Sequence, residues 1–65
     1  MNSKYIWLCE NYHRVSLIYR KDKEVRPYRI VVENKFGNAL AVATAATAEE
    51  AINLAVIRTG GKYEG

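Results

Sequence analysis

Apolar and polar residues alternate with a period of two along three segments of the chain, which is typical of half-buried β-strands. These segments are 14–20 (RVSLIYR), 28–33 (YRIVVE) and 39–44 (ALAVAT). A fourth segment, 5–9 (YIWLC), is a continuous aromatic and aliphatic run, and it also predicts a strand. The connections ENYH, KDKEVRP and NKFGN are polar and hairpin-like, and the last one contains Gly37, which is suited to positive φ in a tight turn.

A change of period within the alanine-rich segment ALAVATAATAEEA marks the junction between a strand and a helix. The sequence TAEE predicts a capping box, in which the Thr47 hydroxyl accepts a hydrogen bond from the amide of Glu50. We expect the helix to continue through AINLAVIRT and to end at Gly60 and Gly61. One side of this helix carries small and aliphatic residues that are suited to packing on a sheet: Ala48, Ala51, Ile52, Ala55 and Val56.

The expected fold class is therefore α+β, with the element order ββββα. It consists of a small antiparallel sheet of three to four strands and one C-terminal helix packed on one face. We expect a single domain over 1–65. Its core is thin, because a chain of 65 residues buries only about 60 % of the surface that it exposes when unfolded.

One helix covers only one face of a sheet, so the other face is left open. We expect the covered face to take mainly aliphatic residues: Ile6, Leu8, Val15, Leu17, Tyr19, Ile30, Val32, Leu40 and Val42. The open face then carries an aromatic, basic and partly apolar set: Tyr5, Trp7, Cys9, Arg14, Ser16, Ile18, Arg20, Arg29, Val31, Ala41 and Ala43. An exposed set of this kind usually marks an interaction site. The alternative is that the first strand has the opposite phase, in which case Trp7 lies in the core.

The composition is that of a globular domain with a mildly basic surface. The apolar fraction is 49 %, the charged fraction is 26 % and the formal net charge is +3. Such a charge permits nucleic-acid binding and argues against mimicry of DNA, which needs a strongly acidic surface. Much of the positive excess lies in segment 14–35.

The expected location is the cytoplasm. The single cysteine, Cys9, excludes an internal disulfide, and the N-terminal sequence has no signal-peptide pattern. No apolar run reaches the roughly 18 residues that a membrane span needs. We therefore expect a complete cytoplasmic protein that makes no membrane contact and acts as a monomer or a homodimer.

No group of residues predicts catalysis, a cofactor or a metal ion. Cys9 and His13 lie four residues apart, but a zinc site needs about four ligands and the chain has one cysteine and one histidine. Glu49 and Glu50 are explained by helix capping and by the helix dipole. We expect a protein that is not an enzyme and has no catalytic, cofactor-binding or metal-binding residues.

The candidates for partner binding are residues expected on the open face together with one aromatic residue in a turn: Tyr5, Trp7, Arg14, Ile18, Arg20, Arg29 and Phe36. An alternative function is nucleic-acid binding, because basic residues interleaved with Tyr12, Tyr19 and Tyr28 are suited to contact phosphates and stack on bases. The basic segment is also explained as a solvated loop, because RKDKEVR carries its own acidic residues.

Residues 28–55, YRIVVENKFGNALAVATAATAEEAINLA, resemble a unit found in small proteins of phages and mobile elements, in which two strands and a glycine turn precede a TAEEA helix start. The size of the chain and its lack of an enzymatic motif also resemble the anti-CRISPR class of phage inhibitors. This resemblance implies a phage or mobile-element protein that binds and inhibits a host protein or nucleoprotein complex, specifically a CRISPR effector, in the host cytoplasm. The strand-strand-helix part is similar to the arm-type DNA-binding domain of tyrosine integrases, which implies a sheet that contacts DNA.

Overall fold

The structure is a computed structural model that describes residues 2–22 and 25–63. Its elements are α1 (Ser3–Asn11), β1 (Arg14–Tyr19), β2 (Tyr28–Glu33), β3 (Ala39–Ala45) and α2 (Ala48–Thr59). The predicted α+β class and the antiparallel sheet with a C-terminal helix are confirmed. The predicted order ββββα is wrong, because the described chain has three strands between two helices.

The segment predicted as the first strand forms helix α1 instead. The Asn2 side-chain oxygen accepts a hydrogen bond from the Tyr5 amide at 3.0 Å, which caps the first turn of this helix. Tyr5, Leu8 and Tyr12 follow a spacing of three and four residues, and all three pack into the core, where Leu8 is completely buried. A short apolar run such as YIWLC does not distinguish a strand from a helix. The cap at Asn2 and the spacing of Tyr5, Leu8 and Tyr12 favour the helix.

The three strands form one antiparallel sheet in the order β1-β2-β3. Ser16 of β1 lies opposite Val31 of β2, which lies opposite Val42 of β3. The register shifts between Val32 and Glu33, where β3 contributes an extra residue. The β2–β3 turn contains Gly37 with φ of 81°, as its position in the sequence predicts.

Helix α2 begins and ends where the sequence predicts. The Thr47 hydroxyl accepts a hydrogen bond from the Glu50 amide at 3.1 Å. Gly60 is the C-cap residue and has φ of 71°, in the left-handed region that favours glycine. Arg58 lies in the last turn, where a cation is favoured by the helix dipole.

Both helices cover the same face of the sheet, and the buried residues of β2 are the predicted ones, Ile30 and Val32. The prediction for β3 is wrong, because its buried residues are alanines and its larger side chains face outward. Ala41 lies opposite Val32 and Ala43 opposite Ile30, so they share the covered face, while Leu40 and Val42 lie on the other side. The buried stripe of α2 also contains two alanines, and small side chains on both surfaces let the helix lie close to the strand.

The C-terminal segment after α2 packs against α1. The ring of Trp7 meets the rings of Tyr12 and Tyr63 edge-on, at centroid distances of 6.0 and 5.8 Å. The hydroxyls of Ser3 and Tyr63 are 2.7 Å apart and form a hydrogen bond. Trp7 is therefore half-buried between the helix and this segment, and its expected place on a strand at the open face is wrong.

Neither of the two described helices is long and apolar enough to cross a lipid bilayer.

The contact between Trp7 and Gly61 gives a first prediction. A methyl group at Gly61 would overlap Cη2 of Trp7 and approach the Tyr12 hydroxyl oxygen to 2.9 Å. We expect Gly61→Ala to lower the free energy of unfolding by roughly 1–3 kcal/mol, because the aromatic rings must shift. Urea denaturation measures this change. Lys62→Ala at the exposed neighbouring position is the control, with an expected change within about 0.5 kcal/mol. Equal stability of Gly61→Ala and wild type would contradict this packing.

Candidate functional site

The candidate site is the side of the sheet that faces away from the two helices, which we call the open face. In residues 2–22 and 25–63, no helix packs over it. Its members are the residues whose side chains alternate with the buried ones along the three strands: Arg14, Ser16, Ile18, Arg29, Val31, Glu33, Leu40, Val42 and Thr44. Arg20, one residue beyond β1, continues the same alternation.

The middle of the open face is aliphatic. Val31 lies at its centre on the middle strand, with Val42 directly opposite on β3. Ile18 is 48 % exposed, Leu40 is 43 % exposed and Val42 is 38 % exposed. Isolated apolar residues are common on protein surfaces, but four branched aliphatic side chains on one sheet face form a patch of the kind that marks an interaction site.

Three arginines lie beside these aliphatic residues. Arg29 lies opposite Ile18, and Arg14 lies opposite Glu33. The Arg14 Nε and the Glu33 Oε1 are 3.8 Å apart, at the outer limit of an ion pair, and the Arg14 side chain is largely exposed. Three arginines, with Arg20 included, therefore stand against one glutamate, so the open face carries a net positive charge.

A second surface feature lies where β1 and β2 meet their connecting loop. Tyr19 and Tyr28 are directly opposite each other, and their rings make an edge-on contact with centroids 5.0 Å apart. Tyr19 is 60 % exposed, although the sequence predicts it on the covered face. We call Tyr19 and Tyr28 the tyrosine pair. The chain next to it carries the exposed basic residues Lys21 and Arg26.

The structure brings together four of the seven predicted partner-binding residues and separates the other three. Arg14, Ile18, Arg20 and Arg29 belong to the open face or its margin. Phe36 is 75 % exposed in the β2–β3 turn, where Lys35 Nζ lies 5.2 Å from the centre of its ring.

The other two candidates, Tyr5 and Trp7, lie on α1, on the covered side of the sheet. Burial raises the pKa of Tyr5, and Cys9, one helical turn later, adds to this rise by its charge and by a hydrogen bond. These two residues stabilise the core and take no part in the open face.

Sequence reasoning missed Leu40 and Val42 as site residues, because larger aliphatic residues are usually the buried ones in an alternating strand. The available signal was the match between two alanine series, one in β3 and one on the inner side of α2. Two facing surfaces of small side chains predict a close helix–sheet contact, and that contact turns the larger residues outward.

The sequence predicts no metal site, and the structure describes the positions of the possible ligands. Cys9 and His13 are both exposed. Within the described ranges, no three side chains of histidine, cysteine, aspartate and glutamate come together in a group that would hold a metal ion.

Comparison with known proteins gives no relative for this chain: no protein-family model matches it, and no curated protein or solved structure shows significant similarity.

The two faces of the sheet predict opposite responses to the same substitution. We expect Ile18→Thr on the open face to change the free energy of unfolding by no more than about 0.5 kcal/mol, because threonine suits an exposed strand. Ile30→Thr on the buried face should cost roughly 2–4 kcal/mol, because it replaces a buried ethyl group by a hydroxyl. Thermal and urea unfolding of both variants measure the difference. Similar losses at the two positions would mean that Ile18 is covered.

Proposed function

We propose that this chain is a non-enzymatic binding protein that acts through a protein interface on the open face. The observation that carries the proposal is the aliphatic centre formed by Val31, Val42, Ile18 and Leu40. Protein interfaces typically combine a central apolar region, which loses its water on binding, with a polar rim in which arginine is enriched. The open face has this arrangement, with Arg14 and Arg20 at its margin and Arg29 on the middle strand beside Ile18.

The same arrangement favours a protein partner over a nucleic acid at this face. Phosphate backbones are bound by basic and polar side chains, and bases are held by aromatic rings or hydrogen bonds. The centre of the open face offers branched aliphatic groups, which fit neither a phosphate nor the plane of a base. The expected partner surface is apolar at its centre and acidic at its margin.

For the target, we propose a host nucleoprotein complex of the CRISPR effector type, which makes the chain an inhibitor of phage or mobile-element origin. This choice rests on the resemblance of the sequence to that class of proteins. The open face supports its mode of action, since an inhibitor without chemistry of its own acts by covering a surface that its target needs.

The test measures binding to a panel of purified CRISPR effector complexes and their cleavage of target DNA. We expect one complex to bind the protein and to lose cleavage activity. Leu40→Glu should weaken that binding by about thirtyfold, because it puts a charge into the apolar centre and an interface anchor typically contributes about 2 kcal/mol.

Ile57→Glu is the control, because it introduces the same charge at an exposed aliphatic residue outside the open face. Ile57 is 72 % exposed on α2, away from the sheet. Equal affinity of the wild type and Leu40→Glu would argue against the open face. A panel without a bound or inhibited complex would argue against the target class.

The tyrosine pair supports a second candidate function, binding of single-stranded or duplex nucleic acid at the loop end of the sheet. Tyr19 is 60 % exposed, Arg20 and Lys21 follow it directly, and Arg26 lies two residues before Tyr28. An exposed aromatic ring beside basic groups is the arrangement that stacks a base and neutralises the adjoining phosphates.

Salt dependence and a single substitution test this second function. Fluorescence anisotropy with short labelled DNA and RNA should show binding that falls steeply as salt rises from about 50 mM to about 200 mM. Tyr19→Ala should weaken it by roughly fivefold or more, because stacking of one base on an aromatic ring contributes about 1–3 kcal/mol. Phe36→Ala removes a different exposed ring beside a lysine and should have little effect. Absence of binding at low salt would exclude this function.

A further inference from the structure

The outer edge of β1 carries backbone groups that no described residue satisfies. The Arg20 amide donates to the Pro27 carbonyl at 2.6 Å, and directly opposite residues of an antiparallel pair alternate between bonded and non-bonded. The even-numbered residues of β1 therefore point their N–H and C=O groups toward β2. Those of Val15, Leu17 and Tyr19 point away from the sheet, and none of them has a hydrogen-bond partner in the described ranges.

The other edge of the sheet is protected. The same alternation turns the backbone of Val42 outward on β3, and there the Arg58 guanidinium donates a hydrogen bond to the Val42 carbonyl. A charged side chain lying across an edge strand is one of the ways in which proteins prevent pairing with another chain. β1 has no such cover in the described part of the molecule, and its six residues include neither proline nor lysine. Strand addition is therefore favoured at β1 and opposed at β3.

The charges along β1 determine what kind of strand fits. Arg14 and Arg20 lie six residues apart on the same side, at the two ends of the free edge. A second copy of the chain, paired with the first around Leu17, would place Arg14 opposite Arg20 twice, and like charges directly opposite each other are destabilising. Glu33, near Arg14, offsets only part of this repulsion. A segment with acidic residues six positions apart would instead match both arginines.

We propose that the free edge of β1 binds an extended segment of a protein partner as an added strand of the sheet. The segment carries acidic residues opposite Arg14 and Arg20 and β-branched residues between them. Main-chain hydrogen bonds to Val15, Leu17 and Tyr19 supply the affinity, and the two arginines select the sequence. This inference rests on the proposed function, since it specifies how a protein partner is held.

The probe is the synthetic peptide Glu-Val-Thr-Val-Thr-Val-Glu, whose acidic ends match the two arginines in either strand direction. The control is Lys-Val-Thr-Val-Thr-Val-Lys, with the same strand-forming centre. NMR of the isotope-labelled full chain follows each backbone amide. At ten times its Kd, the acidic peptide should slow hydrogen exchange of the Val15, Leu17 and Tyr19 amides about tenfold. The lysine peptide should leave these amides unchanged.

A pair of variants at Tyr19 tests the backbone contact. Tyr19→Pro and Tyr19→Ala both lose the aromatic ring, but only proline also loses the N–H that faces the edge. Proline is tolerated on an edge strand, and unchanged amide signals of Ile30 and Val32 verify the fold. Tyr19→Pro should bind the acidic peptide roughly three- to tenfold more weakly than Tyr19→Ala.

Unchanged edge amides with the acidic peptide would overturn the inference, and so would equal responses to the two peptides. A dimer that forms through β1 without peptide, seen by light scattering and by protection of the same amides, would also overturn it. Leu40→Glu separates this surface from the open face, because the substitution lies on β3 and should leave peptide binding unchanged. If Leu40→Glu weakens binding of a protein target while the edge amides stay unprotected, the proposed function stands and the strand addition is wrong.

Discussion

The close packing of helix α2 on strand β3 determines which surfaces of this protein remain free. Ala41, Ala43 and Ala45 on the strand face a helix whose inner side contains Ala51 and Ala55, and all five are buried. Alternation along the strand then places Leu40 and Val42 on the opposite side of the sheet. The aliphatic centre of the open face is therefore a consequence of a small-residue contact in the core.

The same close contact explains why the fold contains a second helix. α2 packs on β2 and β3, which leaves the inner side of β1 uncovered. α1 fills this space and brings Tyr5, Leu8 and Tyr12 against the core near Val15 and Leu17. Tyr63 and Trp7 complete the layer, since the segment after α2 folds back over α1. The thin core of a chain of this size is thus extended by aromatic side chains, each of which buries a large area.

Local signals in the sequence predicted the elements that depend on local interactions. The cap at Thr47, the stop at Gly60 and the turn at Gly37 each depend on a residue type that a specific backbone geometry requires, and all three lie where the sequence places them. The alternation of β1 and β2 also predicted which side of each strand faces the helices, because their charged residues, Arg14, Arg29 and Glu33, all lie on the other side.

The errors arose where two structures suit the same residues. YIWLC satisfies a strand and a helix equally, and only its spacing with Tyr12 and the cap at Asn2 distinguishes them. In β3 both sides are apolar, so alternation alone does not reveal which side is buried. That choice depends on the size of the side chains across the interface, which is a property of two segments together. The candidate site was therefore predicted in its β1 and β2 members, Arg14, Ile18 and Arg29, and missed in its β3 members.

The hydrogen bond between Ser3 and Tyr63 also has a consequence for chain connectivity. It joins the side chains of residues from opposite ends of the described chain, whose hydroxyl oxygens are 2.7 Å apart, on the helix side of the molecule. The two ends of the described chain therefore lie on the same side of the molecule, and a peptide linker that joins them is compatible with the native structure. The closed ring would lower the entropy of the unfolded chain more than that of the folded one, as any long closed loop does. The chain could therefore be joined at its present ends and opened in the β2–β3 turn instead. Each strand of the sheet would keep the same neighbouring strands.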